Sequence, residues 1–412
     1  MRRVPRTAIV TFLAAAALWS AAVLLVPGVS PSADRPVPTA SALPDTASPP
    51  RPTAPAVATP AATAVPTPLI AGSALPAMPR IGPPAAFART IDVAAGSVPV
   101  TEPFTWELIA AGGIIYGRGV QERVELYRDP TRPFAKVRDL VRRADLAIAT
   151  LEAPLSGNEN RYCDTCMTFV GNERYVSGIV DAGFDALNLA NNHIGDAGPS
   201  GVTDSIRVLT AAGIVPFGAG ENEAAARRPA ILATPGGTVA LLGYSDVPPE
   251  SYRATATRAG HAALVHTDGY EAVRADIAAA RRVADVVIVV AHWGIEYEDR
   301  PRPWVVEAAH AMIDAGADVV LGDHPHWVQS VELYKGRYIA YSLGNFIFDQ
   351  MWSVETRQGS LHRLFFDGTR LVSVRIIPTL LEDWHQPRPL EPDEPGYAQT
   401  LERIWRHSRL GG

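Results

Sequence analysis

Cysteine is scarce in this sequence, since the 412 residues contain only Cys163 and Cys166. A zinc site built from four cysteines and a disulfide-rich scaffold both need more, so these classes are excluded. Positive charge is also low, because 37 Lys and Arg are outnumbered by 43 Asp and Glu, for a formal net charge of −6. No basic patch is dense enough to neutralise a phosphate backbone, which argues against nucleic acid as a partner. No internal repeat stands out.

The two cysteines stand close together, in the sequence Cys-Asp-Thr-Cys. Outside the cytoplasm, two thiols at this spacing more often form a local disulfide than a metal site. A thioredoxin-like redox motif is the alternative, although no strand followed by a helix brackets the pair as that motif requires.

The N-terminus is typical of an export signal, because the basic sequence Met-Arg-Arg-Val-Pro-Arg precedes an uncharged apolar run over residues 8–26. About 20 apolar residues span a bilayer as a helix. We therefore predict a signal anchor over residues 1–28, with the N-terminus inside and the bulk of the chain outside the cytoplasm. A cleaved signal peptide, permitted by the small residues Ser30 and Ser32, would instead give a secreted protein.

Residues 29–104 are predicted to be a linker, because Pro, Ala, Thr and Ser dominate residues 29–84 and aromatic residues are nearly missing there. Such a composition cannot bury enough apolar surface to fold. Proline-rich chain favours extended polyproline II, at about 3.1 Å per residue. The linker is therefore expected to hold a folded domain away from a membrane.

Residues 105–385 alternate apolar runs with amphipathic stretches, which predicts an α/β domain with helices on its sheets. The predicted strands cover residues 107–111, 146–151, 186–190, 239–244, 286–291, 319–322, 338–342 and, as a closing strand, 371–376. The predicted helices cover residues 134–143, 175–182, 201–212, 270–283 and 303–315. Residues 386–412 are interpreted as a Pro-rich, charged C-terminal tail with a short helical end and no site.

Polar side chains follow several of these strands at the point where each strand ends. Ligands collect at the carboxyl ends of strands in open α/β sheets. The residues concerned are Glu152, Asn191, Asn192, His193, His292, Asp323, His324 and His326. Histidine, carboxylate and amide oxygen suit zinc, manganese or iron, so the sequence predicts a divalent-metal site. In an extended backbone, His324 and His326 would point the same way and reach one site.

The stretches that carry these residues resemble the CapA family of capsule-synthesis proteins, from about residue 106 to about residue 350. They read, in order, DLAIATLEAPLS, GFDALNLANNHIGDAG, VVIVVAHWGIEYE, GADVVLGDHPHWVQ and YIAYSLGNFIFDQ. The family belongs with the calcineurin-like metallophosphatases. The resemblance implies a metallophosphatase-like two-sheet sandwich flanked by helices, with a two-metal site at the strand ends.

The resemblance also implies roles for individual residues. Glu152 would be the bridging carboxylate, and one metal would be completed by Asn192, His292 and His324. His326 would serve the other metal. His193 would protonate a leaving group or hold the anionic oxygens of a substrate, and Asp196 would either orient His193 or cap its loop.

The sequence departs from the family pattern at Gly113, where the family has a metal-binding Asp, and at Thr150, where it usually has Asn. Glu152 and His326 alone are too few to hold the second cation. We therefore expect one held metal and leave the second open, with Asp323 as a candidate replacement.

Two functions follow. The first is a metal-dependent hydrolase, outside the cytoplasm, that acts on a phosphoester or an anionic polymer. The second is a non-catalytic, membrane-tethered scaffold among membrane proteins that synthesise or export a polymer such as poly-γ-glutamate.

Overall fold

The computed structural model describes residues 91–96, 98–157 and 167–411. The predicted anchor, most of the predicted linker, Cys163 and Cys166 lie outside the described residues. Among the helices within these ranges, none is long and apolar enough to cross a membrane.

Strands dominate the described chain, and helices connect many of them. The strands are β1 (Asp92–Ala95), β2 (Trp106–Ile114), β3 (Leu146–Leu151), β4 (Ala186–Asn188), β5 (Val215–Phe217), β6 (Ala219–Gly220), β7 (Ala230–Thr234), β8 (Gly237–Ser245), β9 (Gly260–His261), β10 (Val286–His292), β11 (Val319–Asp323), β12 (Val331–Tyr334), β13 (Arg337–Ala340), β14 (Asn345–Ile347), β15 (Gln358–Asp367), β16 (Arg370–Glu382) and β17 (Gln386–Pro389). The helices are α1 (Arg118–Tyr127), α2 (Arg138–Val141), α3 (Val176–Ala182), α4 (Gly198–Ala211), α5 (Glu223–Ala226), α6 (Glu271–Ala280), α7 (Pro303–Ala315), α8 (Val354–Arg357) and α9 (Pro395–Trp405).

Two large sheets form the centre of the fold. The first has the strand order β1-β16-β15-β2-β3-β4-β5, with β14 beside β2 and β17 beside β16. The second has the order β12-β13-β11-β10-β8-β7. Strands β2, β3 and β4 are parallel, and so are β8, β10 and β11. Their carboxyl ends supply the loops that carry the predicted site.

The apolar residues separate into three buried layers. The layer between the sheets joins residues such as Leu108 of the first sheet to Leu241 and Ile288 of the second. A second layer packs α1, α3 and α4 on the outside of the first sheet, and a third packs α6 and α7 on the outside of the second. Because central strands such as β3 and β10 are buried on both faces, each reads as an almost continuous apolar run. The predicted two-sheet sandwich flanked by helices is confirmed.

Several predicted elements differ from the structure in their limits. The helix predicted over residues 134–143 is instead a 3-10 turn at Arg132–Phe134 followed by the short helix α2, because Pro133 opens a turn with i to i+3 bonds. The strand predicted over residues 186–190 ends at Asn188, whose Oδ1 accepts the N–H of Ala190 at 3.0 Å. A side chain that bonds its own backbone in this way ends a strand.

The fold continues past residues 105 and 385, the predicted limits of the domain. Strand β1 lies in the range assigned to the linker, where it pairs in parallel with β16. Strand β17 and helix α9 lie in the range assigned to the tail, and β17 pairs with β16. The long strand β16 accounts for both additions, since it extends well beyond residues 371–376 and offers edges to β1 and β17.

Candidate metal centre

Glu152 is placed at the site by the first sheet. It follows β3 directly, and its N–H donates to the carbonyl of Ile114 at the end of β2, at 2.8 Å. The side chain is 1% exposed, and its Oε1 has no hydrogen-bond partner. Burial, followed by the nearby carboxylates of Asp323 and Glu296, raises the pKa of Glu152 well above its ordinary value. A cation would remove this cost by neutralising the buried charge.

His292 is the last residue of β10 and is fully buried. Its Nδ1 lies 2.7 Å from Asp323 Oδ1, which holds the ring proton on Nδ1 and leaves a lone pair on Nε2. That Nε2 lies 2.8 Å from Asn192 Oδ1 and 3.8 Å from Glu152 Oε1. Burial lowers the pKa of His292 well below its ordinary value, so the ring is neutral. His292 Nε2 and Asn192 Oδ1 both carry lone pairs, and they face each other beside the carboxylate of Glu152. The ligands of one cation are arranged in this way.

Asp323 supports His292 through the 2.7 Å contact between its Oδ1 and the ring Nδ1. It is 3% exposed, and burial raises its pKa to about 7, although a hydrogen bond with Thr150 acts in the opposite sense. Asn188 in turn donates to Thr150 Oγ1 at 3.2 Å. Asp323 thus orients a ligand from behind through Oδ1, and its role as a replacement for the missing carboxylate stays a prediction.

The His-Pro-His segment forms a turn, which corrects the prediction of an extended backbone. His324 has φ 91° and His326 has φ 58°. Such left-handed conformations are costly for residues with a side chain and persist where the surrounding structure fixes them, often at functional sites. Both rings nevertheless lie at the same site, with centroids 5.9 Å apart, and His324 lies 4.8 Å from the ring of His292.

His324 has a polar atom that needs a partner. The residue is 6% exposed, and its Nδ1 is buried without a hydrogen bond. Burial lowers the pKa of His324 well below its ordinary value, so the ring offers a lone pair. One ligand atom from each of Glu152, His292 and His324 lies within 4.8 Å of the others. Glu152 Oε1 and His324 Nδ1 are buried in one cluster without hydrogen-bond partners, and a divalent cation bound there would satisfy both atoms.

His193 lies next to this cluster and is oriented by Asp196. The His193 Nδ1 is 2.8 Å from Asp196 Oδ2, and the same oxygen accepts the N–H of Phe169 at 2.6 Å. The ring stacks on Phe169 with centroids 3.8 Å apart. Asp196 therefore both orients the histidine and anchors a loop, and the Nε2 of His193 is left for chemistry.

Asn191 positions the neighbouring residues Asn192 and His193 at the site. Its Nδ2 donates to the carbonyl of Leu151 at 2.8 Å, and its Oδ1 accepts the N–H of His193 at 2.9 Å. This side chain ties the loop after β4 to the end of β3, so Asn192 and His193 are held beside Glu152.

Gly113 pairs with Thr150 in the first sheet and faces the carboxylate of Glu152. A Cβ at position 113 would overlap Glu152 Oε2 and would lie 3.5 Å from the ring of Phe348. An Asp at this position requires Glu152 to move.

Two residues at the site were missed by sequence reasoning. Glu296, in the loop after β10, brings its carboxylate within 4.8 Å of ligand atoms of His324 and His326. The guanidinium of Arg118, at the start of α1, lies 4.8 Å from the centre of the Phe169 ring that stacks on His193. A single charged residue in a loop carries no distinctive signal of its own, but Glu296 stands inside the stretch VVIVVAHWGIEYE, which resembles the family.

The family described as bacterial capsule synthesis protein PGA_cap has a family model that matches residues 107–350. The chain is similar to the capsule biosynthesis protein CapA of Bacillus anthracis, with 34% identity over 291 residues that cover 69% of this chain and 70% of that protein. It is also similar to the PGA biosynthesis protein CapA of Bacillus subtilis strain 168, with 32% identity over 321 residues, 76% of this chain and 82% of that protein.

Similarity to solved structures is weaker. The sulfate thiohydrolase SoxB of Thermus thermophilus is 12% identical, with a TM-score of 0.41, over 74% of this chain and 61% of that chain.

Proposed function

The chain belongs to the bacterial capsule synthesis protein family PGA_cap, and from this membership we propose that it is a metal-dependent hydrolase in the synthesis or export of an anionic polymer. One observation carries the proposal. The Nε2 of a neutral His292 faces Asn192 Oδ1 at 2.8 Å, beside the unpartnered Oε1 of Glu152. A scaffold has no need of lone pairs that converge in this way.

Four side chains are the proposed ligands of the cation, and Asp323 orients one of them. Glu152, Asn192, His292 and His324 would hold a divalent cation such as Mn²⁺, Zn²⁺ or Fe²⁺. When bound, the cation polarises a substrate oxygen and lowers the pKa of a bound water. Asp323 keeps the proton of His292 on Nδ1, so Nε2 stays available as a ligand.

His193 is the proposed proton donor. Asp196 holds its Nδ1, so a proton carried on Nε2 can pass to the oxygen or nitrogen of a leaving group. Phe169 stacks on the imidazole and limits its rotation.

The proposed substrate is anionic, either a phosphoester or a polymer of the poly-γ-glutamate type. Arg118 supports this choice, because its guanidinium packs on the same Phe169 that stacks on His193. Its side chain is 28% exposed and makes a 3.0 Å contact with Asp349 Oδ2, so it is both held in place and open to solvent. Guanidinium groups recognise carboxylate and phosphate oxygens.

The test is turnover of bis(p-nitrophenyl) phosphate and of poly-γ-glutamate by the Mn²⁺-loaded full chain. We expect His292→Ala to lose both bound Mn²⁺ and turnover, and His193→Ala to lose turnover while keeping Mn²⁺. His407→Ala is the matched control, because this histidine is 35% exposed and makes only a 3.9 Å contact with Asp299. Unchanged rates in His193→Ala and His292→Ala would contradict the hydrolase.

A second candidate function is favoured by Gly113, which removes a carboxylate that the family has at the site. In this alternative the domain binds a polymer or partner proteins of a membrane complex without turning over a substrate. Polymer binding that survives His193→Ala, with no turnover by the wild type, would support it.

We also propose a location for the chain. Residues 8–26 would anchor it in the cell membrane as a single span, with the domain on the extracytoplasmic side near membrane proteins of polymer synthesis. In membrane fractions washed with alkaline carbonate, the full chain should stay in the pellet, and protease added to spheroplasts should digest the domain. Release into the medium would indicate a cleaved signal and a secreted protein.

A further inference from the structure

We propose that Trp384, Arg118 and Arg123 line a cleft that binds the unit of an anionic chain next to the unit held at the metal centre. The inference rests on the proposed function and deepens it, because it favours a chain-like substrate over a small phosphoester. Trp384 is the specificity-determining residue. It comes after residue 350, the last residue that the family model matches, so this wall of the cleft lies outside the stretch that resembles the family.

The cleft opens beside the metal centre, at the start of α1. Its volume is about 630 Å³, within the range of about 300 to 1,000 Å³ that is typical of ligand pockets. The lining combines two arginines, two carboxylates and two apolar side chains, which are Arg118, Arg123, Glu122, Asp349, Leu126 and Trp384. The guanidinium of Arg118 lies 4.8 Å from the centre of the Phe169 ring, which stacks on His193. A chain bound at His193 can therefore continue into the cleft.

Trp384 has an unfavourable backbone conformation at the tip of the hairpin formed by β16 and β17. Its φ is 65°, and Asp383 before it has φ 47°. Positive φ values are costly for bulky residues and persist where the surrounding structure fixes them, often at functional sites. The side chain of Trp384 is nevertheless 44% exposed, so burial in a core does not account for its position.

The residues on either side of Trp384 attach the hairpin tip to α1. The hydroxyl of Tyr127 donates to Asp383 Oδ2 at 3.0 Å, and the ring of Tyr127 stacks on that of His385 with centroids 6.0 Å apart. The indole is thereby held against the first turn of α1, where a Cβ placed at Gly119 would lie 3.4 Å from the Trp384 ring. The cleft is thus a fixed feature of the fold.

The two arginines give the cleft the charge that an anionic chain requires. Arg118 Nε contacts Asp349 Oδ2 at 3.0 Å, and Arg123 Nε contacts Asp383 Oδ1 at 3.6 Å. Both side chains are partly exposed, so their guanidinium groups are oriented by these contacts and remain accessible from the cleft. Guanidinium groups recognise carboxylate and phosphate oxygens.

Asp349 adds a place for a hydrogen-bond donor. Its Oδ2 accepts the N–H of Gly119 at 3.0 Å, whereas its Oδ1 is buried without a hydrogen-bond partner in the part of the chain that the structure describes. A donor from a ligand would remove the cost of this unpaired oxygen. A chain of carboxylates joined by amides offers oxygens to the arginines and N–H groups to Asp349, and its carbon atoms can pack on Trp384. A phosphodiester group has no donor.

The test compares the affinities of the Mn²⁺-loaded full chain for a dimer and a hexamer of γ-linked glutamate, by calorimetric titration. The parent protein carries His193→Ala, so that the oligomers are bound without turnover. We expect the parent to bind the hexamer at least about 10-fold more tightly than the dimer, because only the hexamer reaches Trp384, and an aromatic anchor is worth this much or more.

Adding Trp384→Gly should abolish this preference. Because Gly tolerates the positive φ, the variant should unfold at no lower temperature than its parent. Trp384→Phe should recover part of the preference. Phe104→Ala is the matched control, because Phe104 is similarly exposed at 46% but precedes β2, at the opposite end of that strand from Gly113. It should keep the preference of the parent.

Three results would overturn the inference. They are equal affinities of the parent for dimer and hexamer, an unchanged preference in Trp384→Gly, and the same loss of preference in Phe104→Ala. Turnover by the wild type tests the hydrolase separately. Turnover with no role for Trp384 would remove the cleft alone, and a Trp384-dependent preference without turnover would remove the hydrolase alone.

Discussion

The substitution Asp323→Asn tests how the fold prepares His292 to bind a cation. Asp323 lies on the second sheet, pairs in register with His292, and contacts His292 Nδ1 at 2.7 Å. The Asn side chain has nearly the same shape, so packing is kept. Its neutral amide, however, is a weaker acceptor and no longer secures the proton on Nδ1.

The expected loss of metal affinity follows from weakening the contact between residue 323 and His292 Nδ1. Removing the partner of a metal-binding histidine costs about 10- to 100-fold in metal affinity. At equilibrium this is about 1.4 to 2.7 kcal/mol of binding free energy. The metal-free protein should not lose stability, because burial already raises the pKa of Asp323 to about 7 and a neutral side chain costs less to bury than a carboxylate.

Two measurements separate these effects. Calorimetric titration with Mn²⁺ gives the affinity, and thermal unfolding in the presence of chelator gives the stability of the metal-free chain. Asp367→Asn is a control on an exposed surface, where this carboxylate pairs with Arg370 at 3.4 Å. A Mn²⁺ affinity for Asp323→Asn within twofold of the wild type, with normal unfolding, would refute the role assigned to Asp323.

Two further predictions concern other parts of the molecule. Burial lowers the pKa of His362 to about 3. Between about pH 6.5 and pH 3, the imidazole is therefore protonated in the unfolded state but neutral in the folded state. The free energy of unfolding consequently decreases as the pH falls through this range. His362→Gln should therefore reduce the pH dependence of the unfolding free energy by about 1.4 kcal/mol per pH unit between pH 6 and 4, as checked by urea unfolding, and an unchanged pH dependence would contradict this role of His362. Arg118→Ala should raise the KM for an anionic substrate about 10- to 100-fold, with partial recovery in Arg118→Lys, and an unchanged KM would exclude contact with the substrate.

The parts of the fold that the sequence predicts well are those where local pattern and burial agree. The limits of β3 and α7 match the predicted ranges 146–151 and 303–315, because β3 is a continuous apolar run and α7 begins at a proline and ends before Gly316. Strands β1 and β17 were missed because they are short, edge-lying and stabilised by pairing with β16.

The same distinction holds at the site. Glu152, His292 and His324 were expected together because each follows a parallel strand, and the structure brings them together. The turn at His324 and His326 was missed because positive φ values depend on contacts with the loop after β10. Glu296 joins the site through that same contact, which sequence periodicity does not encode.

The central claim is that side chains from both sheets hold a divalent cation at the strand ends. The most direct measurement is an anomalous-difference map from crystals of the protein grown with Mn²⁺. The account predicts a peak bonded to Glu152, Asn192, His292 and His324. A map with no peak at His292 would contradict it.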